Sequence, residues 1–179
     1  MTQPNLHLLE ALGIDATMLA VRPLSSYAEA TALVIAEEGE NGRLFMLTPT
    51  TSAAWSRMKS QAQQDGINLL MVSAFRSVQR QTEIIQQKLG SGQAIAEILS
   101  VCAPPGFSEH HTGRAIDITC IEEPDLEISF ENTAAFTWLQ QHAATYGFRL
   151  SYPRDNAAGF QYEPWHWCYR DCESAGTNG

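Results

Sequence analysis

Two adjacent histidines and an aspartate stand close together in the segment SEHHTGRAID, residues 108–117. His110 lies in a predicted loop, and Asp117 follows it seven residues later in a run whose alternation predicts a strand. Gly113 lies between them and allows the chain to turn tightly. Catalytic zinc commonly takes three protein ligands from histidine and carboxylate side chains and leaves a fourth position for water. A loop ligand and a strand ligand joined by one turn could therefore share such an ion.

A third candidate ligand lies further along the chain, in YEPWHW at residues 162–167. Glu163 stands three residues before His166, and Pro164 between them excludes a helix interior and favours an extended Glu163. The two side chains can cooperate only if Glu163 lies in a bend before the strand that carries His166. A carboxylate beside a metal ligand can take a proton from metal-bound water, whose pKa the metal lowers towards ~7, and pass it to a leaving amine.

Arg76 directly follows an apolar run, INLLMVSAF at residues 67–75, which predicts a buried strand. A guanidinium in such a place has little water around it and needs an anionic partner. That partner could be a protein carboxylate. It could also be a substrate carboxylate, or the oxyanion that develops when a carbonyl is attacked.

Each of these residues also has an ordinary structural interpretation when it is taken singly. A loop histidine such as His110 is more often hydrogen-bonded than a ligand, and Asp117 suits a turn or a helix cap. Glu163 suits a solvated charge, and Arg76 suits a structural ion pair. Their order and spacing together favour a shared site, which the rest of the chain must assemble.

The elements around these residues are helices and short strands. Two apolar runs in residues 31–47 predict a β-hairpin with Asn41 and Gly42 at its tip. Apolar periodicity and capping residues predict helices over residues 48–66, 77–90, 91–102 and 132–147. Short apolar or alternating runs predict further strands over residues 67–75, 114–121, 148–153 and 164–170.

Such a mixture, without regular βαβ alternation, predicts an α+β domain with a small, largely antiparallel central sheet flanked by helices and a zinc site at the sheet. The 179 residues are 44% hydrophobic and contain no repeats or long linkers, so we expect one structural unit. Within it we expect a helix, a hairpin and a helix over residues 1–67, a zinc-binding core over residues 68–170, and a tail over residues 171–179.

The acidic composition argues against nucleic acid as a partner. The formal net charge is -9, and no cluster of Lys and Arg offsets the repulsion from a phosphate backbone. No apolar run reaches the ~18 residues that a membrane span needs. The first residues also lack the basic start and continuous apolar stretch of a secretory signal.

Four cysteines, Cys102, Cys120, Cys168 and Cys172, lack paired CxxC spacing, which argues against a structural zinc knuckle. Buried thiols are the expected state, and a disulfide between Cys102 and Cys120 is the alternative in an oxidising compartment. Cys168 could close the fourth position of a metal site, which would make that site structural.

In combination, these residues resemble the zinc D-alanyl-D-alanine carboxypeptidases and dipeptidases, a family that includes the vancomycin-resistance carboxypeptidases. SEHHTGRAID is similar to the family motif S-x-H-x-x-G-x-A-x-D, and EPWHW is similar to the motif E-x-x-H. SAFRSVQRQ resembles the family's strand-end arginine segment, and YGFRLSYP resembles the stretch before the second motif. The resemblance covers roughly residues 68–170, whereas residues 1–67 carry no motif that matches.

The resemblance implies His110, Asp117 and His166 as the ligands of one catalytic zinc ion. It also fixes the register of the histidine pair, because only His110 has the family's spacing to the aspartate. We therefore expect His111 to be a loop residue or a support for the site.

The resemblance further implies Glu163 as the general base and acid, and Arg76 as the residue that binds and polarises the substrate. Ser108 and Gln81 are further candidates for the substrate pocket. The implied reaction is hydrolysis of the peptide bond next to a C-terminal D-alanine in a peptidoglycan stem peptide. Related endopeptidases that cleave between L-alanine and D-glutamate tend to have aspartate in place of Glu163, which favours the carboxypeptidase branch.

Two alternatives stay open from the sequence. One is a dipeptidase that cleaves free D-Ala-D-Ala, and the other is a zinc-bound peptide-binding module without catalysis. The intact Glu163 argues against the module, because a binder needs the ligands but not the base. The substrate would place the protein at the cell envelope, whereas the lack of a visible signal is compatible with the cytoplasm.

Overall fold

The computed structural model describes residues 6–39 and 42–170, so Asn41 and the expected tail lie outside the described residues. The α-helices are α1 (Leu6–Ala11), α2 (Ala16–Ala20), α3 (Pro49–Gln64), α4 (Val78–Gly90), α5 (Ile95–Val101) and α6 (Ala134–His142). The strands are β1 (Val34–Glu38), β2 (Leu44–Leu47), β3 (Leu70–Ser73), β4 (Ala115–Thr119), β5 (Phe148–Leu150) and β6 (His166–Tyr169). Single turns of 3-10 helix cover Glu109–Thr112, Ile128–Asn132 and Ala143–Tyr146.

The strands form two antiparallel sheets. β1 and β2 are the predicted hairpin, and the other four strands pair in the order β3, β4, β6, β5. Each neighbouring pair in the larger sheet is antiparallel. The prediction of an α+β domain with a largely antiparallel sheet is therefore confirmed.

Several predicted elements are shorter than the sequence indicates. β3 occupies only Leu70–Ser73 of the run that predicts a buried strand, and its residues alternate between half-buried and buried. The helix predicted over residues 132–147 is α6 followed by a 3-10 turn, which Gly147 ends with φ 85° and amide bonds back to Ala143 and Ala144. A left-handed glycine closes the final turn at low steric cost.

Two short helices precede the hairpin, where the sequence predicts one. Gly13 adopts φ 71° after α1 and breaks the helical path. Asp15 then starts α2, because its side chain accepts hydrogen bonds from the amides of Thr17 and Met18. A left-handed glycine and a capping acid two residues after it thus split the helical segment.

Hydrophobic side chains form two clusters. The larger one joins α3, α6 and the hairpin to one face of the main sheet, where Ile116 and Ile118 of β4 are fully buried. The smaller one packs α1 and the turn after it on α4 and α5 through Leu9, Leu12, Ile14, Ile85, Ile98, Leu99 and Cys102. Apolar burial is the main favourable term in packing, so the smaller cluster fixes α4 against the start of the described chain.

The described cysteines are thiols. Cys102, Cys120 and Cys168 are buried and free, which confirms the expected state and leaves the alternative disulfide unformed. Cys172 lies outside the described residues. Among the helices of residues 6–39 and 42–170, none has the length and apolar character needed to cross a bilayer.

Candidate active site

Strand pairing places two of the predicted metal ligands side by side. Asp117 in the middle of β4 lies opposite His166 of β6 on one side and opposite Ser73 of β3 on the other. Residues that lie opposite each other in a sheet project to the same face, so the three side chains form a row. His166 Nδ1 is 3.0 Å from Asp117 Oδ1.

The third predicted ligand reaches this row from the 3-10 turn before β4. The Ser108 hydroxyl caps the turn by accepting a hydrogen bond from the His110 amide over 3.3 Å. Gly113 ends the turn with φ 63°, and a Cβ atom there would lie 2.8 Å from Leu33 Cδ2. Glycine is therefore favoured both by the backbone conformation and by the space available. His110 Nε2 consequently lies 3.2 Å from Asp117 Oδ2.

The three side chains fit a single metal ion. Their ligand atoms lie within 4.8 Å of one another, and all three residues are buried. His110 Nδ1 lies 2.7 Å from the Ala74 carbonyl oxygen, to which it donates, so Nε2 is left to face Asp117. His166 Nε2 lies 3.1 Å from Glu109 Oε2, so Nδ1 faces the same point. Two imidazoles and one carboxylate are a donor set that suits Zn²⁺.

Cys168 does not join this set. It lies on β6 opposite Ala115, two residues beyond His166. The group of potential ligands found among the described residues contains His110, Asp117 and His166 alone. The structural-zinc alternative, in which Cys168 closes the fourth position, therefore has no support in the described part of the chain.

The electrostatics of the cluster favour a bound cation. Burial raises the pKa of Asp117, but His110 and His166 outweigh burial and hold that pKa well below its ordinary range. Burial lowers the pKa of His166, but the Asp117 and Glu109 carboxylates outweigh burial and raise it to about 10. The carboxylates thus stabilise a positive charge at His166. A proton can supply that charge, and a bound metal ion could supply it instead.

Glu163 lies in the turn before β6, as Pro164 predicts. The His166 amide donates to the Glu163 carbonyl oxygen over 3.2 Å, and Glu163 Oε2 lies 3.9 Å from His166 Nδ1. Burial raises the pKa of Glu163 to about 7, and the negative charge of Asp117 adds to that rise. A carboxylate with such a pKa can both accept and return a proton near neutral pH.

Arg76 lies on the wall beside Asp117, three residues after β3 ends. It donates to Ser73 Oγ and to Gln81 Oε1, each over 3.0 Å, and its NH2 is 3.9 Å from Asp117 Oδ2. Gln81 is fully buried and donates to the Ala103 carbonyl oxygen over 2.7 Å. Gln81 therefore fixes the Arg76 guanidinium, and its contact with a substrate stays a prediction.

A cavity of about 410 Å³ opens in front of these groups. Its polar wall contains Arg76, Ser108 and Glu163 together with the three potential metal ligands. Tyr152 also lines it, with its ring centroid 4.7 Å from that of His166. Other lining residues come from α4 and from the segment with the exposed apolar side chains Leu126 and Ile128. The cavity is large enough for a short peptide to reach the cluster.

Glu109 is a site residue that sequence reasoning missed. It is only 4% exposed, and its carboxylate contacts His166 and Arg170. Burial raises the pKa of Glu109, but hydrogen bonds and the positive charge of His166 outweigh burial and lower it to about 2. The sequence feature that could have pointed to Glu109 is an acidic residue directly before a loop histidine in an otherwise apolar neighbourhood.

His111 supports the site and stays away from the potential ligands. Its ring is fully buried, and Nδ1 donates to the Arg76 carbonyl oxygen over 2.6 Å. Nε2 accepts a hydrogen bond from the Gly106 amide over 3.1 Å. Burial lowers the pKa of His111, which suits a neutral ring with one donor and one acceptor. The expected supporting role therefore has a physical form: His111 ties two loops together.

Three convergent ligands, a buried carboxylate with a pKa near neutrality and a guanidinium on the cavity wall are typical of single-metal hydrolytic centres. The model of the VanY family, described as D-alanyl-D-alanine carboxypeptidase, matches residues 45–172. The chain belongs to this family. The match begins ahead of the motifs, so β2 and α3 are part of the family region.

Curated and solved relatives agree with this assignment. The D-alanyl-D-alanine carboxypeptidase of Enterococcus faecalis is 32% identical over 124 residues, which are 64% of this chain and 44% of that protein. The chain thus spans less than half the length of that relative. The chain is also similar to the solved structure of the LdcB LD-carboxypeptidase, which describes the basis of peptidoglycan recognition. The two have a TM-score of 0.69 and 32% sequence identity, and the match covers 79% of this chain and 69% of that one.

A second solved structure bears on the metal. It is a variant of the vancomycin-resistance D,D-pentapeptidase VanY from a VanB-type cassette, solved in complex with Zn(II). It is 26% identical with a TM-score of 0.60, and the match covers 83% of this chain and 82% of that one. The likeness extends over most of both chains.

Proposed function

We propose that this protein is a zinc-dependent carboxypeptidase that hydrolyses the peptide bond next to a C-terminal D-alanine in peptidoglycan stem peptides. The observation that carries the proposal is the convergence of His110, Asp117 and His166 beside Glu163 on one cavity. Membership of the VanY family supports the proposed reaction, and the Zn(II) complex of the VanY relative supports zinc as the metal.

In this proposal His110, Asp117 and His166 hold the zinc ion, which supplies a Lewis acid and lowers the pKa of a bound water. The two rings need no rearrangement, because each has its outward nitrogen in a hydrogen bond. His110 is held by the Ala74 carbonyl oxygen and His166 by Glu109. The fixed rings keep their inward nitrogens aimed at one point.

Glu163 takes the proton of the attacking water and returns it to the departing amine. Its carboxylate is buried in the turn beside His166, and its pKa of about 7 makes both transfers accessible. A nearby cation favours the ionised form of a carboxylate, so beside an occupied metal site Glu163 would be ionised and ready to act as a base.

Arg76 binds the scissile carbonyl and stabilises the negative charge that develops on its oxygen. Its guanidinium is already oriented by Ser73 and Gln81, so little reorganisation accompanies the reaction. Ser108 lines the same cavity, and its oxygen accepts from the His110 amide, which leaves the hydroxyl proton for a substrate carboxylate.

Mass measurement of the products from defined stem peptides tests the function. Zinc-loaded protein is incubated with a tetrapeptide and a pentapeptide that end in D-alanine, with the matching peptides that end in L-alanine, and with free D-Ala-D-Ala. We expect loss of one terminal alanine from the D-peptides and no change in the L-peptides. Cleavage of the free dipeptide alone would instead identify a dipeptidase. Bound zinc without cleavage of any peptide would contradict an enzyme and favour a binding module.

A further inference from the structure

A buried acidic residue, Glu109, contacts the ring nitrogen of His166 that does not face Asp117. Glu109 Oε2 lies 3.1 Å from His166 Nε2, and both side chains are about 5% exposed or less. The other oxygen, Oε1, lies 2.5 Å from Arg170 NH2 and 3.4 Å from the Tyr27 hydroxyl. The carboxylate therefore bridges the ring to a cation and to the N-terminal part of the chain.

The contact decides which nitrogen of His166 is available. A neutral imidazole carries its single proton on one nitrogen and a lone pair on the other. A carboxylate opposite Nε2 keeps a proton on that nitrogen, so Nδ1, which faces Asp117 and Glu163, is the nitrogen that can give up its proton and bind a metal ion. Carboxylate partners of this kind orient histidine ligands in many metal sites.

The rest of the Glu109 environment keeps the carboxylate in place. A buried carboxylate is costly unless it is paired, and Arg170 supplies the pairing charge. The backbone around Glu109 is also fixed, because the Ser108 hydroxyl caps the turn and the Tyr27 amide donates to the Gly106 carbonyl oxygen over 2.8 Å. An ion pair with Arg170 alone would not require the second oxygen to face His166.

We propose that Glu109 is a positioning residue of the metal centre: held by Arg170 and Tyr27, it fixes the tautomer and orientation of His166 so that Nδ1 faces the metal. The inference rests on the proposed function, since it assumes that His166 is a ligand. It adds a residue outside the ligand set and connects that set to the segment around Tyr27, which precedes the family region.

Zinc affinity, measured by competition with a chelating dye, tests the role. Loss of a hydrogen-bonded partner of a histidine ligand typically weakens metal binding about 10–100-fold. We expect Glu109→Ala to weaken zinc binding within that range and Glu109→Gln to restore part of the loss, because its amide oxygen can still accept from Nε2. The matched control is Glu37→Ala. Glu37 likewise accepts a ring N–H, from Trp55, and pairs with a cation, Lys59, but it lies in the hairpin.

Cobalt substitution separates positioning from loss of stability. The visible spectrum of bound Co(II) depends on ligand geometry, so Glu109→Ala should shift it while Glu37→Ala should leave it as in the wild type. An unchanged zinc affinity and spectrum in Glu109→Ala would overturn the positioning role and leave the proposed function standing. Wild-type protein that binds no zinc would overturn both.

Discussion

His110 and His111 are neighbours in the chain but have different partners. His110 directs Nε2 to the Asp117 carboxylate, whereas His111 uses both nitrogens to join the Arg76 and Gly106 backbones. The motif spacing predicts which histidine faces the metal. It does not predict the hydrogen bonds of His111, because these partners are set by how two loops approach each other in the fold.

The two histidines should respond differently to substitution. His110→Ala should abolish stoichiometric zinc binding, because it removes a ligand. His111→Ala should keep one zinc per folded protein but lower the free energy of unfolding by about 2–4 kcal/mol, since it leaves two buried backbone groups without partners. Metal analysis and urea unfolding of both variants provide the measurement. Loss of zinc from folded His111→Ala, with zinc retained in His110→Ala, would show that His111 and not His110 is the ligand.

Strand pairing assembles a site from residues that are far apart in the chain. Ser73, Asp117 and His166 form one row of the sheet, yet the sequence alone does not state which strands pair or in which register. Local signals were more informative. Pro164 predicted the bend that holds Glu163, and the glycine in SEHHTGRAID predicted the turn before β4. Glu109 was missed because its partners, His166 and Arg170, belong to a distant strand end.

The turn that ends at Gly113 should tolerate no side chain. Alanine there meets the left-handed backbone penalty, about 1–2 kcal/mol, together with contacts to Leu33 and Thr48. Gly66→Ala is the matched control, because Gly66 has φ 80° but nothing within 4 Å of the added Cβ. We expect Gly113→Ala to lose more unfolding free energy than Gly66→Ala and, unlike the control, to weaken zinc binding. Equal losses and equal zinc affinities would show that the turn does not position His110.

The segment before the hairpin is integrated into the whole molecule. Arg22 donates to the Leu99 and Gly159 carbonyl oxygens, and Tyr27 and Ala30 donate backbone hydrogen bonds to the loop that contains the histidine pair. Sequence reasoning assigned this segment to a part that packs on the core but found no motif in it. Its contacts are mostly to backbone atoms, which leave little trace in the sequence.

The buried Glu163 should make the stability of the metal-free protein depend on pH. Its pKa is about 7 in the folded state, above the ordinary ~4.3 of the unfolded chain, so ionisation opposes folding. The free-energy cost of a buried, ionised Glu163 is absent at pH values below the pKa of the unfolded chain. It grows as the pH rises towards the pKa of the folded state and is complete above that pKa. In urea unfolding at pH 8, Glu163→Gln should therefore have a free energy of unfolding about 1–3 kcal/mol higher than wild type. Near pH 4 the two proteins should not differ in this way. A difference that is independent of pH would contradict the raised pKa.

The rate of D-alanine release by zinc-loaded wild type and Glu163→Gln tests the central claim most directly. Both proteins should contain one zinc each, because Glu163 is not one of the three grouped ligands. Wild type should release D-alanine from a stem peptide, and the variant should turn over at least ~100-fold more slowly, as expected when a general base is lost. Glu83→Gln, an exposed change on α4, should behave as wild type. Near-equal release by wild type and Glu163→Gln at equal zinc content would contradict the account.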